Sequence, residues 1–328
     1  MSEYFLGVDA GGSHTRAALI SDQGELLGLG FSGAANFRTK PFAQAALAIQ
    51  DSVAQALTAK AIKKVQAVCI GSAGLEEQGT EEEGRKLLGN VIRAETVLLD
   101  TDAYIAWAGA LKAQPGVMVI SGTGSICLGI DTARLRHRIG GWGPYFGDEG
   151  SAHAIANKAI REALKVIDGR SHNTAFLQAL LSFAKFPTHW DQSTAHTLTS
   201  WLYAKERSSS ELAGFALLID QLAQQGNVCA QDLLKEAAES LAGLVPALMS
   251  KGSFQFPVLV SIGGSVLKYS SIAKKTFLHS LPESCIFSEP ALPPVLGAAV
   301  LAWLATNPFS TPMLDTLLKT AANHPKLG

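Results

Sequence analysis

The sequence predicts an α/β protein of two lobes, the second carrying a helical insertion, and three observations predict it. Its 328 residues exceed one ordinary core and suit two domains of roughly 100 to 200 residues each. A strand, Gly-rich turn, strand unit around Asp9–Ser13 (DAGGS) returns around Ser121–Ser125 (SGTGS). That separation, about a hundred residues, is too long for a solenoid and right for a duplicated domain. Between Gly150 and Lys251 the apolar spacing is mostly helical.

The elements follow in order. Phe5–Asp9 is an apolar strand ending in a Gly turn, Thr15–Ile20 a second, and Asp22–Glu25 a turn into a third, Leu26–Phe31, so the chain opens as a β-meander. Pro41–Ala59 carries Phe42, Ala46, Ile49, Val53 and Leu57 at helical spacing, and Val65–Ile70 returns to the sheet. Glu81–Ile92 reads as a helix, Thr96–Leu99 as a strand, and Ala103–Leu111 as a helix that stops near Gln114-Pro115-Gly116. The domain boundary is expected there, giving lobes of 1–115 and 116–328. In the second lobe Val117–Ile120 and Ile126–Ile130 flank the second turn. Helices are predicted over Ala152–Ile167, Ala175–Phe183, Glu211–Leu222 and Asp232–Met249. Phe256–Ile262 returns as a strand, and Val295–Ala305 is a last Ala-rich helix with the option of returning to the first lobe.

Composition narrows the function classes. Hydrophobic residues make up 47% and charged ones 17%, which provides a packed interior. A net charge of -1 with scattered Lys and Arg offers no field for a nucleic acid backbone, so no nucleic acid partner is expected. Met1–Leu6 leads straight into a strand pattern, without signal peptide or membrane span, and a cytosolic protein is expected. Cys69, Cys127, Cys229 and Cys285 lack metal or disulfide spacing and read as free thiols.

The chemistry concentrates in the turns. In Asp9-Ala10-Gly11-Gly12-Ser13 adjacent glycines let backbone N–H groups approach an anion that a Cβ would obstruct, and Ser13 adds a hydroxyl. The turn is no Walker A loop, and a strand rather than a helix follows it, which disfavours the dinucleotide fingerprint. Gly122, Thr123 and Gly124 repeat this chemistry, so two hairpins could grip a triphosphate from opposite sides. Asp9 stands where a hydrated Mg²⁺ would bridge phosphate oxygens, or equally as a turn-capping carboxylate. Asp100 and Asp102 end the apolar strand Val97–Leu99 just before a helix, at the sheet edge where ligands collect, and one of them is expected to cap that helix.

Five segments in this order, Asp9–Thr15, Asp100–Ala103, Ser121–Ser125, Gly140–Ser151 (GGWGPYFGDEGS) and Ser261–Val266 (SIGGSV), resemble the N-acetylglucosamine kinase branch of the BadF/BadG/BcrA/BcrD ATPase family, within the sugar kinase, Hsp70 and actin superfamily. The resemblance spans nearly the whole chain. It implies two ribonuclease-H-like (actin-like ATPase) lobes, ATP and Mg²⁺ in the cleft between them, lobe closure on an amino sugar, and a homodimer.

The resemblance also implies roles. Asp102 becomes the general base, since a sugar hydroxyl is too weak an acid to ionise at neutral pH and a carboxylate within reach can take its proton. Sugar contacts fall to Asn36, Asp102, Ser125, Gly141, Trp142 and Asp148. The Trp142 indole, among residues too small to bury it, offers a flat wall to a pyranose, and Asp148 could accept two hydroxyls. Phosphate falls to Gly11, Gly12, Ser13, Gly122, Thr123 and Gly124, and the adenosine end to Gly264 and Ser265, with Gly214 of Ala213-Gly214-Phe215 a further match. In the vertebrate-type kinases of this family Asn follows the second turn; here Ile126 stands there, so one amide that would touch the sugar is missing. N-acetylglucosamine is expected first, with glucosamine and N-acetylmuramate close behind. Two other classes share the fold or its turns: an ATP-driven activator of acyl-CoA dehydratases, whose cluster-binding cysteines have no counterpart around Cys127, and a non-catalytic ATP-binding regulator.

Overall fold

A computed structural model describes residues 3–37, 40–58, 62–75, 78–203 and 209–324. Two compact units emerge, one formed by residues 1–118 with 288–328 and the other by 119–287. The divide therefore lies a few residues beyond the expected boundary, and the whole segment from Ser288 belongs with the first unit rather than continuing the second.

The first unit contains β1 (Tyr4–Ala10), β2 (Thr15–Ser21), β3 (Leu26–Ser32), α1 (Phe42–Leu57), β4 (Lys64–Ser72), α2 (Glu81–Leu88), β5 (Arg93–Thr101) and α3 (Asp102–Ala110). The predicted end of α1 at Ala59 lies outside the described residues. The second sheet begins with β6 (Gly116–Ser121), β7 (Ser125–Ile130) and β8 (Arg136–Gly140). The insertion supplies α4 (Ala152–Ile167), α5 (Thr174–Phe183), α6 (Gln192–Leu202), α7 (Ser209–Ala213), α8 (Phe215–Gln224) and α9 (Val228–Met249). Then come β9 (Val258–Gly263), α10 (Ser265–Tyr269), α11 (Ser271–His279) and β10 (Cys285–Phe287), and the chain closes with α12 (Pro294–Leu304) and α13 (Thr311–Ala322). Thus α12 is not the last helix.

Duplication is visible in the strand orders. The first sheet runs β3-β2-β1-β4-β5 and the second β8-β7-β6-β9-β10, so each strand has its counterpart five places later. In the first sheet β1 pairs antiparallel with β2 and parallel with β4, and β4 parallel with β5. Alternation along β1 sends Leu6, Val8 and Ala10 into the core shared with Ile49, Val53 and Leu87. The opposite face carries Gly7, where a Cβ would lie 2.3 Å from the Ala299 nitrogen of α12. Asp9 shares that face by the same alternation. Ile49 is fully buried, so Ile49→Ala is expected to cost about 2–5 kcal/mol, read by denaturant unfolding.

Two predicted helices are cut short or divided, and a third, Asp232–Met249, begins earlier, at Val228. Glu81–Ile92 ends at Leu88 because Gly89, at φ 57°, caps the helix in a conformation that L side chains resist. Glu211–Leu222 is split, since the Gly214 N–H turns back on the Glu211 carbonyl at 3.2 Å. In the second unit Asp131 is buried and accepts from the Leu135 N–H at 2.9 Å and the Ser253 N–H at 3.1 Å, with His137 Nε2 at 3.0 Å. The His137 hydrogen bond, chief among these and opposed by burial, holds Asp131 at about 2. Folding thus lowers this carboxyl from an unfolded value of about 3.9. Its stabilising contribution is present above about pH 4 and is lost as pH falls through about 2, so Asp131→Asn is expected to flatten the acid limb of the stability profile.

Candidate active site

Each unit presents a candidate site at its Gly-rich turn. In the first, the Gly11 N–H closes the turn on the His14 carbonyl at 3.0 Å, and the Gly11 carbonyl accepts from the Ala35 N–H at 3.0 Å. The Gly12 and Ser13 N–H groups have no acceptor among the described residues, and both residues are exposed. Two successive unpaired N–H groups make an anion-binding concavity. A Cβ on Gly12 would lie 3.7 Å from Asn36 Nδ2, which places Asn36 beside the turn.

The acids gather at the C-terminal ends of the parallel strands. Asp9 pairs with Gly71 of β4, and Gly71 with Asp100 of β5, so the three residues form one row across the sheet. The helix cap falls to neither acid: Thr101 accepts from the Tyr104 N–H, the hydroxyl having the reach that the expected acid lacks from the first helical position. Asp100 is buried and accepts from the Thr101 N–H at 2.7 Å, whereas Asp102, first residue of α3, is exposed and accepts from the Ala103 N–H at 2.8 Å. Burial first, then the Asp102 carboxylate, push Asp9 up to about 7 against the pull of Arg16, its neighbour across β2.

In the second unit the turn is closed by the Gly122 N–H on the Gly124 carbonyl at 2.9 Å, and the Thr123 and Gly124 N–H groups have no acceptor among the described residues. The turn is braced from behind. Gly122 and Thr123 carbonyls accept from Ala152 and His153 N–H groups at the start of α4, at 2.9 and 3.3 Å, and the Ser121 and Ser125 hydroxyls donate to the Gly150 and Glu149 carbonyls at 2.8 and 2.7 Å. Asp148, buried and at φ 58°, reaches the same turn, since a Cβ on Gly124 would meet its Oδ2 at 2.7 Å. Gly264, at φ 81°, lies against the other side, where a Cβ would meet the Ser121 carbonyl oxygen at 2.2 Å, and exposed Ser265 follows it at the start of α10.

The aromatic segment stands out from this brace. Trp142 is 72% exposed, and Tyr145 and Phe146 are 90% and 89% exposed. Gly141, at φ 72°, is flanked by Ile126 and Arg138, each 3.2 Å from where a Cβ would sit. The structure thus brings Gly122, Thr123, Gly124, Ser125, Asp148, Gly264 and Ser265 together, with Gly141 and Trp142 next along the chain. Gly214 instead sits at the joint of α7 and α8, where its contacts are local. Arg16 and Arg138 were missed by the sequence reading. Arg16 was legible as the strand partner of Asp9; Arg138 was not, because β8 carries little apolar signal. A 480 Å³ cavity lined by Lys64, Arg85, Arg93 and Glu95 lies at the starts of β4 and β5, the strand ends opposite to those that carry Asp9 and Asp100.

Two sheets of one strand order, each with a glycine turn after its central strand and unpaired N–H groups at the tip, define a duplicated α/β protein built to hold anions. The chain belongs to the BadF/BadG/BcrA/BcrD ATPase family, which it matches over residues 6–302. It is 30% identical over 272 residues to the N-acetylmuramic acid/N-acetylglucosamine kinase of Clostridium acetobutylicum, covering 80% of this chain and 86% of that one. To the N-acetyl-D-glucosamine kinase of Dictyostelium discoideum it is 28% identical, covering 92% and 98%. The crystal structure of a candidate N-acetylglucosamine kinase from Chromobacterium violaceum superposes with a TM-score of 0.69 at 23% identity, over 92% of this chain and 99% of that one. The fold is that of two ribonuclease-H-like lobes with a helical insertion in the second. Among the described residues no helix is long and apolar enough to cross a membrane.

Proposed function

We propose that this protein is an ATP-dependent amino-sugar kinase that phosphorylates N-acetyl-D-glucosamine at its 6-hydroxyl. The observation that carries the reading is the division of labour between two acids of the first unit: Asp102 exposed at the head of α3, Asp9 half-buried at the end of β1 with its carboxyl pushed up by desolvation. Asp102 accepts the proton of the sugar hydroxyl as its oxygen attacks phosphorus and the bridging bond breaks. ATP supplies the phosphoryl group and Mg²⁺ neutralises the charge on its oxygens. The residues fit both: the glycine turns leave no room for a Cβ at Gly124 or Gly264, and their tips carry unpaired N–H groups. Asp9 fits a cation held largely through water and phosphate, the habit of Mg²⁺, and no group of three or more potential metal ligands occurs among the described residues. Gly11, Gly12, Ser13 and Gly122–Gly124 bind phosphate, Gly264 and Ser265 face adenosine, and Asn36, Ser125, Gly141, Trp142 and Asp148 hold the sugar. Family likeness supports a homodimer acting in the cytoplasm; light scattering checks the first point.

Phosphorus NMR of the product tests the regiochemistry. Phosphate on the 6-hydroxyl couples to two methylene protons, and coupling to a single ring proton would overturn that assignment.

Asp9 gives a pH prediction. Folding raises its carboxyl to about 7, so its contribution to stability is complete below the ordinary carboxylate range and is lost as pH rises through about 7. Asp9→Asn is expected to raise the melting temperature of the ligand-free protein at pH 8 while abolishing its response to Mg²⁺. Binding of Mg²⁺ with ATP at pH 7, where Asp9 is about half protonated, should release up to about half a proton, read by calorimetry in buffers of different ionisation enthalpy.

A further inference from the structure

Arg138 occupies an unusual position among the charged residues of the second unit. It stands on β8 opposite Leu128, two residues before Gly140, which pairs with Ile126. Alternation puts Arg138 and Ile126 on one face of the ladder. The half-buried guanidinium donates from Nε to the Gly140 carbonyl at 3.1 Å and from Nη2 to the Gly141 carbonyl at 2.5 Å, and lies 5.1 Å from the centre of the Trp142 ring. Two carbonyls and an aromatic face therefore fix the side chain. No carboxylate among the described residues pairs with it, unlike Arg85, held by Glu81, or Arg170, held by Asp168. Of the five N–H groups of a guanidinium two are engaged, and the other three have no acceptor among the described residues. A fixed, partly desolvated cation with spare donors matches a carboxylate in geometry and charge.

We propose that Arg138 sets which amino sugars are taken beside N-acetylglucosamine: it admits an acidic substituent, such as a carboxyalkyl ether on the pyranose, by receiving its carboxylate, and disfavours a free ammonium. The assignment rests on the amino-sugar kinase reading, in which Gly141 and Trp142 face the sugar. Ile126 fits the same picture. An apolar side chain beside Gly141 leaves selection by charge to its neighbour Arg138.

The test compares wild type, Arg138→Lys and Arg138→Met for kcat/KM with N-acetylmuramate, N-acetylglucosamine and glucosamine, and titrates the same sugars calorimetrically. In Arg138→Met the ratio of kcat/KM for N-acetylmuramate to that for N-acetylglucosamine should fall by about ten- to a hundredfold, the scale of hydrogen bonds to a charged partner. The ratio of glucosamine to N-acetylglucosamine should rise. Arg138→Lys, which keeps the charge without the planar fork, should fall between. Equal losses on all three sugars would assign Arg138 only to bracing the Gly140–Trp142 turn and overturn the proposal, as would failure of the wild type to bind N-acetylmuramate. Binding decides this point without turnover. A wild type that binds N-acetylmuramate through Arg138 yet phosphorylates no sugar contradicts the kinase reading alone.

Discussion

Asp102→Asn is expected to lower turnover by at least about two orders of magnitude while sugar binding is partly retained, because general-base assistance typically contributes about a hundred- to ten-thousandfold. The amide keeps the shape of the carboxylate and its acceptance from the Ala103 N–H at 2.8 Å, so α3 should start as before. What it loses is basicity. Asp102 also raises Asp9, so in the variant Asp9 should titrate lower, and the pH profile of any residual activity should shift toward acid. Asp100 offers no substitute, being buried and turned onto the Thr101 N–H. Rapid-quench measurement of the phosphoryl-transfer step separates the two effects: a chemical step as fast as wild type would remove Asp102 from proton transfer.

Gly264→Ala carries the second large effect. Its Cβ would lie 2.2 Å from the Ser121 carbonyl oxygen and 2.7 Å from the Gly122 nitrogen, and backbone cannot swing aside as a flexible side chain would. At φ 81° the residue also leaves the conformations that alanine prefers. The strand end and the turn must therefore move together, and with them the Thr123 and Gly124 N–H groups assigned to phosphate. KM for ATP is expected to rise at least about tenfold, or about 1.4 kcal/mol, with KM for the sugar less affected. Equal changes in both would mean that the substitution disturbs the unit as a whole. Gly33→Ala serves as a control, since nothing lies within 4 Å of a Cβ there.

Legibility of the fold in the sequence followed hydrophobic period and glycine. β1, β2 and β4, buried along most of their length, stood out as apolar runs, and the two glycine turns betrayed the duplication. β8 did not, because Arg136-His137-Arg138 is polar, Ile139 is the one apolar residue before Gly140, and the strand exists through its ladder with β7. β10 is three residues long, too short to leave a period. The return of α12 to the first unit is a tertiary fact, set by its packing between α3 and β1, and no local pattern encodes it. At the site, residue types carried Asp9, Asp102 and the turns. Arg138 required the structure, because its meaning lies in the absence of a partnering carboxylate among the described residues, and Asp148 acquired a second role there as the carboxylate lying under Gly124.

The central claim is that sugar hydroxyl, Asp102 and the phosphate-binding turns act in one phosphoryl transfer. A coupled assay of ADP release, run on wild type and Asp102→Asn with and without N-acetylglucosamine, N-acetylmuramate or glucosamine, tests it most directly. The account predicts release that depends on an amino sugar and on Mg²⁺ in the wild type and falls at least about a hundredfold in the variant. Release of ADP at one rate whether or not an amino sugar is present, or unchanged in Asp102→Asn, would contradict it.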